Sequence, residues 1–335
     1  MSMVGLTEGK PVSPDGLIME WIETPFGPFF PGLPGGLALM LTLDGDSVAQ
    51  AVASSLATGA PQLPIAADEL PDRLAALSPL APVALRELAC RALEAAAGTT
   101  TAPKEATARA AALERERIAS HLGWLAGLAR QIGLSRLEHR AGALQLGLCA
   151  AEAEEIARQA PSIKAFVSRV PRTPLLHEKL GRIGPISTTN AQGFGGPVAR
   201  ASGIRTDARS DAPTYAALGF SLHTETGGDA WARLLQRLAE IGQSLDLIAQ
   251  AGVIALPGTA RAVPPDGHGM ASVETPRGKA TLHLNLKDGV VETMHLTTPF
   301  PALAAHIGPM TAQMELADAL TAIASLDLDP WGANT

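Results

Sequence analysis

Cysteine is almost missing from these 335 residues: only Cys90 and Cys149 occur, each inside a helical pattern ("ELACRALE", "LGLCAAEAE") with no second cysteine at ligand spacing. Both read as packed thiols, and no local cysteine metal site is possible. There is no run of lysine or arginine and the formal net charge is −7. That leaves no basic stripe for a phosphate backbone and excludes nucleic acid as an expected partner. No apolar run approaches the roughly 18 residues of a membrane span, and "MSMVGLTEGKPVSPDG" lacks the charged-then-apolar layout of a signal peptide. The expectation is a cytoplasmic chain with no direct membrane span. Eight histidines form no HExxH-like pair, no GxSxG elbow is found, and "GPVARASG" lacks the glycine spacing and Lys-Ser pair of a phosphate loop. His268 in "GHG" reads as a flexible loop.

What is present is a globular composition, 46% hydrophobic and 18% charged. "GLIMEWIE" and "LALMLTLDGDSV" read as strands around the loop "TPFGPFFPGLPGG". From Pro82 to Gln159 the apolar spacing becomes three and four, in three stretches that predict three long packed helices. Residues 161–226, rich in Gly, Pro, Arg and Asp, read as a long ordered connection with short helices. Asp229 then caps another amphipathic helix. The last third returns to strands, "MASVETPRG", "KATLHLNLKDG" and "VVETMHLTTP", with an Asp288-Gly289 hairpin signal, and closes with helices over 302–306 and 311–324. This predicts an α+β fold: a central bundle of long helices with a small N-terminal sheet and a C-terminal β-hairpin region. A β-rich segment, 1–65, joins a helical core, 66–335, in one integrated domain.

The candidate functional residues are ionic. Glu114, Arg117 and His121 share one helix face in "ALERERIASHL". Arg200, Arg205, Asp207, Arg209 and Asp211 crowd "GPVARASGIRTDARSDAPTY", and "VETPRG" sets Glu274 and Arg277 beside Pro and Gly. On periodicity alone, a buried or surface ion-pair network holding long loops to helices explains them better than a site does.

The ordered segments "ERERIASHLGWL", "GPVARASGIRTDARSDAPTY", "GGDAWARLLQRLAEIGQSLDLI", "VETPRGKATLHLNLKDG", "TPFPALAAHI" and "ADALTAIASLDLD" resemble one superfamily. It comprises the large subunit of membrane-bound nickel-iron hydrogenases and the homologous D-type subunit of respiratory complex I. The resemblance runs from about Gly27 to the C-terminus and implies a hydrogenase large-subunit-like fold. It also locates losses. Where complex I shows "GPxHPxxHG", this chain has "GPFFPGLPGG", with Phe30 and Pro34 in place of the histidines. The second quinone contact, a tyrosine, falls on Ala76. The hydrogenase CxxC pairs fall on Ala75 and Ser78 and on Asp329 and Gly332, which cannot replace four thiolates. The "HRGxE" loop falls on "ATGAPQL", without its carboxylate.

The resemblance therefore implies no directly bound cofactor: the nickel-iron site is expected to be absent and iron-sulfur clusters to sit in a partner. The expected partners are an iron-sulfur small-subunit-like protein and other subunits of a complex I-like or hydrogenase-like assembly. The retained charges would brace a former active-site cavity and face the iron-sulfur subunit. Three functions follow from it: a catalytically silent core subunit of a membrane-associated oxidoreductase complex; a hydrogenase assembly accessory protein; or a quinone-reactive subunit using other residues. The expected location is the cytoplasmic face of the inner membrane, reached through partners.

Overall fold

Helix α3 (Pro103–Gln131) is the axis of the molecule, and its apolar stripe, Ile118, Leu122, Leu125 and Leu128, is fully or nearly fully buried. The computed structural model describes residues 21–57, 62–258 and 265–332. Around α3 pack α4 (Ser135–Leu148), α5 (Ala153–Arg169) and α10 (Ala230–Ala251), which share one core with it. Asp229 caps α10 as its sequence suggests, its Oδ1 accepting from the Ala232 amide at 2.8 Å.

Two antiparallel sheets flank this bundle. The first, in the order β1 (Ile22–Phe26), β2 (Leu37–Asp44), β3 (Ser47–Ser55), turns Leu37, Leu39, Leu41 and Leu43 inward by the two-residue alternation of a strand. They pack on α11 (Phe300–Thr311) and α12 (Leu316–Leu326) in a second core. The other sheet runs β4 (Ile65–Ala66), β7 (Val290–Thr297), β6 (Gly278–Lys287), β5 (Gly267–Thr275). It covers α1 (Leu70–Ala75) and α2 (Pro82–Ala96) in a third core. Asp288 and Gly289 both have positive φ, the geometry of the two-residue hairpin their sequence signals. The division at residue 65 runs through β4, which pairs with β7.

Several boundaries differ from the sequence reading. The third long helical stretch is two helices, because the chain turns inward at Ala151, which is buried, and restarts after Glu152. Cys149 lies in that break, off the Leu137–Ala141–Leu144–Leu148 stripe, and is exposed; only Cys90 is the packed thiol expected, with its ionisation pushed up to about 12 by burial. The helix that was to end before residue 161 continues through Pro161 to Arg169, since Ile156 and Ile163 keep one face in the core. Strand β1 takes in Thr24, Pro25 and Phe26, placed in the loop by sequence; as an edge strand it tolerates a proline. Residues 16–20 of its expected span lie outside the described residues. His268 is not in a loop but in β5, opposite Asn285. The last two helices run 300–311 and 316–326, because residues between them pair with β3: the Gln313 amide donates to the Val48 carbonyl and the Val48 amide to that of Met314, both at 2.8 Å.

The connection over 170–229 holds four short helices, α6 (Leu176–Leu180), α7 (Thr188–Ala191), α8 (Gly196–Arg200) and α9 (Pro213–Ala217). Gly196 opens α8 with φ +69°, and a Cβ there would stand 2.2 Å from the Arg277 carbonyl oxygen. Only glycine lets the loop press so closely on the turn between β5 and β6.

Candidate functional site

Residues 114–117 read Glu-Arg-Glu-Arg, and successive residues of a helix point about 100° apart, so Glu114 and Arg117, three apart, share a face of α3 while Arg115 and Glu116 leave it in other directions. Glu114 points inward and is fully buried. It accepts from Ser244 Oγ at 2.5 Å, Tyr215 Oη at 2.8 Å, and Arg117 Nε and Arg209 Nη1 at 3.2 Å. Burial alone would raise its ionisation, but Arg117 and Arg209, with the two hydroxyls, hold it below the ordinary carboxylate range. Arg115 donates to the Ala151 carbonyl, and Arg117 reaches the carbonyls of Glu274 and Thr275 at 2.7 and 3.0 Å. Glu116 turns the other way, accepting from the Val83 and Ala84 amides at the start of α2 at 2.6 and 3.0 Å.

One turn after Arg117, His121 meets Glu240 of α10, Nε2 donating to Oε2 at 3.2 Å. Burial depresses this imidazole to about 4 and the Glu240 hydrogen bond only partly opposes it, so it is neutral at pH 7. The loops complete the cluster. Arg200, at the end of α8 and 1% exposed, meets Glu274 Oε1 at 2.8 Å, Glu240 Oε1 at 2.9 Å and Asp207 Oδ2 at 3.0 Å. Arg209 grips Asp207 with both Nε and Nη2, at 3.0 and 2.7 Å, the fork geometry of a bidentate pair. Asp207 and Glu240 are held below the ordinary range: burial pushes each up, and the arginines around them more than reverse it. Four carboxylates, Glu114, Asp207, Glu240 and Glu274, thus enclose three guanidinium groups, those of Arg117, Arg200 and Arg209, which suits a rigid frame joining two helices to two loops.

Of the residues singled out by sequence, the structure brings together Glu114, Arg117, His121, Arg200, Asp207, Arg209 and Glu274. Arg277 stands beside them in a second pair, donating to Asp327 Oδ1 at 2.8 Å, Ser120 Oγ at 3.1 Å and the Leu80 carbonyl at 3.2 Å. Arg205 and Asp211 are exposed and outside the network. Asp207 and Arg209 are buried while Arg205, Thr206, Ser210 and Asp211 are exposed, so alternating charges in the sequence hide which are paired. The expectation that the whole set faces a partner is corrected likewise: its centre is the protein interior. Sequence reasoning missed Glu240, Tyr215 and Asp327, although Glu240 lies within the amphipathic pattern of α10, on its buried side. It also missed Arg233 and Arg237 of that face, whose ionisation burial pulls down to about 9 and about 10.

Of the positions aligned with the lost thiolates, Asp329 and Gly332 line one small cavity with Arg277. Ser78 Oγ donates to Asp329 Oδ2 at 2.7 Å, so residues 251 apart in sequence do meet where the resemblance places them. Burial raises the Asp329 carboxyl against Arg277 and this hydrogen bond. Ala75 offers only a methyl group and Gly332 no side chain; a Cβ at Gly332 would crowd Thr298 at 2.9 Å. One hydroxyl and one carboxylate, bonded to each other, do not fit a centre held by four soft thiolates. The segment aligned with "HRGxE" includes residues 58–61, which lie outside the described residues.

Beside this lies a cleft of about 950 Å³ between the Phe29–Gly35 loop, the start of α2, and α3 and α4. Phe30, Pro34, Leu80 and Trp124 give it an apolar lining, with Glu116, Ser120, Arg277 and Asp327 as the polar group at one end. Pro34 is therefore in the cleft, whereas Ala76 is exposed and not among its lining residues.

Residues 110–261 match the family model of the respiratory-chain NADH dehydrogenase 49 kDa subunit. The NADH-quinone oxidoreductase D subunit of Saccharopolyspora erythraea is 29% identical over 276 residues, covering 69% of this chain and 60% of that protein. Its counterpart from Desulfotalea psychrophila is 34% identical over 188 residues, 52% of this chain and 50% of that one. The matches span about three fifths or less of the length of these relatives. A chain from the structure of the membrane-bound sulfane sulfur reductase, an archaeal respiratory membrane complex, superposes with a TM-score of 0.81 at 22% identity. It covers 94% of this chain and 98% of that one, and shows the fold. In sequence over residues 110–261, and in fold, the chain is similar to the 49 kDa, D-type subunits of respiratory NADH dehydrogenases, and none of Ala75, Ser78, Asp329 and Gly332 is a cysteine.

Proposed function

We propose that the protein is a core subunit of a membrane-associated oxidoreductase complex of the complex I or membrane-bound hydrogenase kind, catalytically silent towards hydrogen and holding no metal of its own. One observation carries this reading. The interior ionic frame is complete, while Ser78 and Asp329 bond to each other where a metal centre would need thiolates. A frame that joins α3, α10 and two loops preserves the shape that neighbouring subunits would recognise. The named relatives are subunits of NADH-quinone oxidoreductases, which supports iron-sulfur clusters in a small-subunit-like partner. Among the described residues no helix is long and apolar enough to cross a membrane, so attachment would run through such partners, at the cytoplasmic face.

The cleft favours a second reading, a quinone-reactive subunit. Its volume is in the range of small-molecule sites, and its walls are apolar with a few convergent polar groups. The test of the core-subunit reading is affinity purification of the tagged chain from detergent-solubilised membranes of its native source, with the companions identified by mass spectrometry. An iron-sulfur protein together with membrane-spanning subunits is the expected result. Recovery with metal-centre maturation proteins alone would establish the assembly accessory role instead, and recovery of the lone chain would refute the core-subunit reading.

A further inference from the structure

Glu116 is the one carboxylate of the Glu-Arg-Glu-Arg stretch that the ionic frame does not use. It lines the cleft, and the Val83 and Ala84 amides, one to each carboxylate oxygen, fix it in place and leave each oxygen a free lone pair. A group so held needs no reorganisation to give or take a proton. The charges that face it are known from every wall. The turn between β5 and β6 offers Arg277, already bonded to Ser120 and to Asp327 at the end of α12; α3 offers Arg117, while its Arg115 lines the same cleft but is turned to the Ala151 carbonyl; α2 offers its N-terminal amides. Further along, Arg130 and Glu138 pair at 2.7 Å, with His139 beside them on α4.

We propose that Glu116 is the proton-binding residue of the cleft, donating a hydrogen bond to the carbonyl oxygen of a planar apolar ligand seated against Phe30 and Trp124. This rests on the quinone-type reading of the cleft. The environment supports it: burial raises the Glu116 carboxyl to about 7, outweighing the two amides, Arg277 and Arg117. Near neutrality the group exchanges a proton readily, which is the property a proton donor at that pH requires. A ligand that accepts a hydrogen bond binds the protonated form, so binding above pH 7 draws in a proton from solution.

Two measurements on the full chain separate the residue from the ligand. Infrared difference spectra across pH 5–8 should show one protonated-carboxyl band that disappears near pH 7 and is missing in Glu116→Gln. If that variant does not fold, Glu116→Asp should move the band in pH instead of removing it. A carboxyl spectrum that titrates wholly in the ordinary acidic range overturns the proposal. Calorimetry with decylubiquinone in buffers of differing ionisation heat should then show uptake approaching one proton per ligand at pH 8, falling away at pH 6, and lost in Glu116→Gln. Binding without proton uptake at pH 8 overturns the role of Glu116 while leaving the cleft reading intact. No binding at either pH overturns the quinone-type reading and, with it, the ligand assigned to Glu116.

Discussion

Replacing Glu114 by Gln should remove the strongest single support of the fold. Glu114 is fully buried and receives four donors, two of them guanidinium groups. The amide keeps the volume, but it deletes the charge facing Arg117 and Arg209 and turns an NH₂ group toward donors. Breaking one partner of a buried ion pair costs about 3–5 kcal/mol. Against a total stability of about 5–15 kcal/mol, this is a third or more, so the urea midpoint followed by far-UV circular dichroism should fall by a comparable fraction. Arg205→Ala is the control, because that side chain is exposed and outside the network; it should change stability by no more than about 0.5 kcal/mol. In a double-mutant cycle, Glu114→Gln combined with Arg209→Gln should cost less than the sum of the single changes, since the second removes a cation the first left uncompensated. Coincident midpoints for Glu114→Gln and Arg205→Ala would refute the buried frame.

Ser78→Ala should destabilise the chain by about 1 kcal/mol, by leaving the half-buried Asp329 carboxyl with only the Trp331 amide as a donor; an unchanged urea midpoint would show that the Ser78–Asp329 bond does not fasten the C-terminal segment. Gly196→Ala should cost more than a surface change, because positive φ and a Cβ 2.2 Å from a backbone oxygen both oppose it; thermal melting checks this against Gly98→Ala, where the new methyl has open space at similar φ. The pH response has opposite signs at neighbouring residues. His121 is held near 4 against 6.5 unfolded, so its contribution is present above about pH 6.5 and is lost as pH falls toward 4, and His121→Gln should reduce that loss in urea titrations at pH 4.5–7. Glu116, raised to about 7 from 4.5, binds its proton more tightly when folded, so stability declines as pH rises from about 4.5 to 7 and is level above; Glu116→Gln should remove this decline.

Much of this architecture could be read from periodicity, because burial enforces it. The leucines of β2 and β6 alternate, the stripe of α3 repeats every three or four residues, and the Asp229 cap and Asp288-Gly289 turn use residues whose local geometry is nearly obligatory. What sequence could not show was which charge goes where. Glu114 and Glu116 are two residues apart on one helix, yet one is enclosed by arginines and the other meets the amides of α2; only the packing of α2 and α10 against α3 decides it. Asp207 and Asp211 looked equivalent in the same loop, and one is buried while the other is exposed. Glu240 escaped notice because it sits in an amphipathic helix where carboxylates usually face water. The break at Cys149 was invisible for a related reason: leucines before it and alanines after it continue a helical pattern that only tertiary packing interrupts.

The most direct test of a retained fold without its metal centre is the nickel content of the chain purified with its native companions, measured by mass spectrometry of the elements and normalised to the quantity of this chain. Far less than one nickel per chain is expected, because Ala75, Ser78, Asp329 and Gly332 offer no thiolate. One nickel per chain would contradict it.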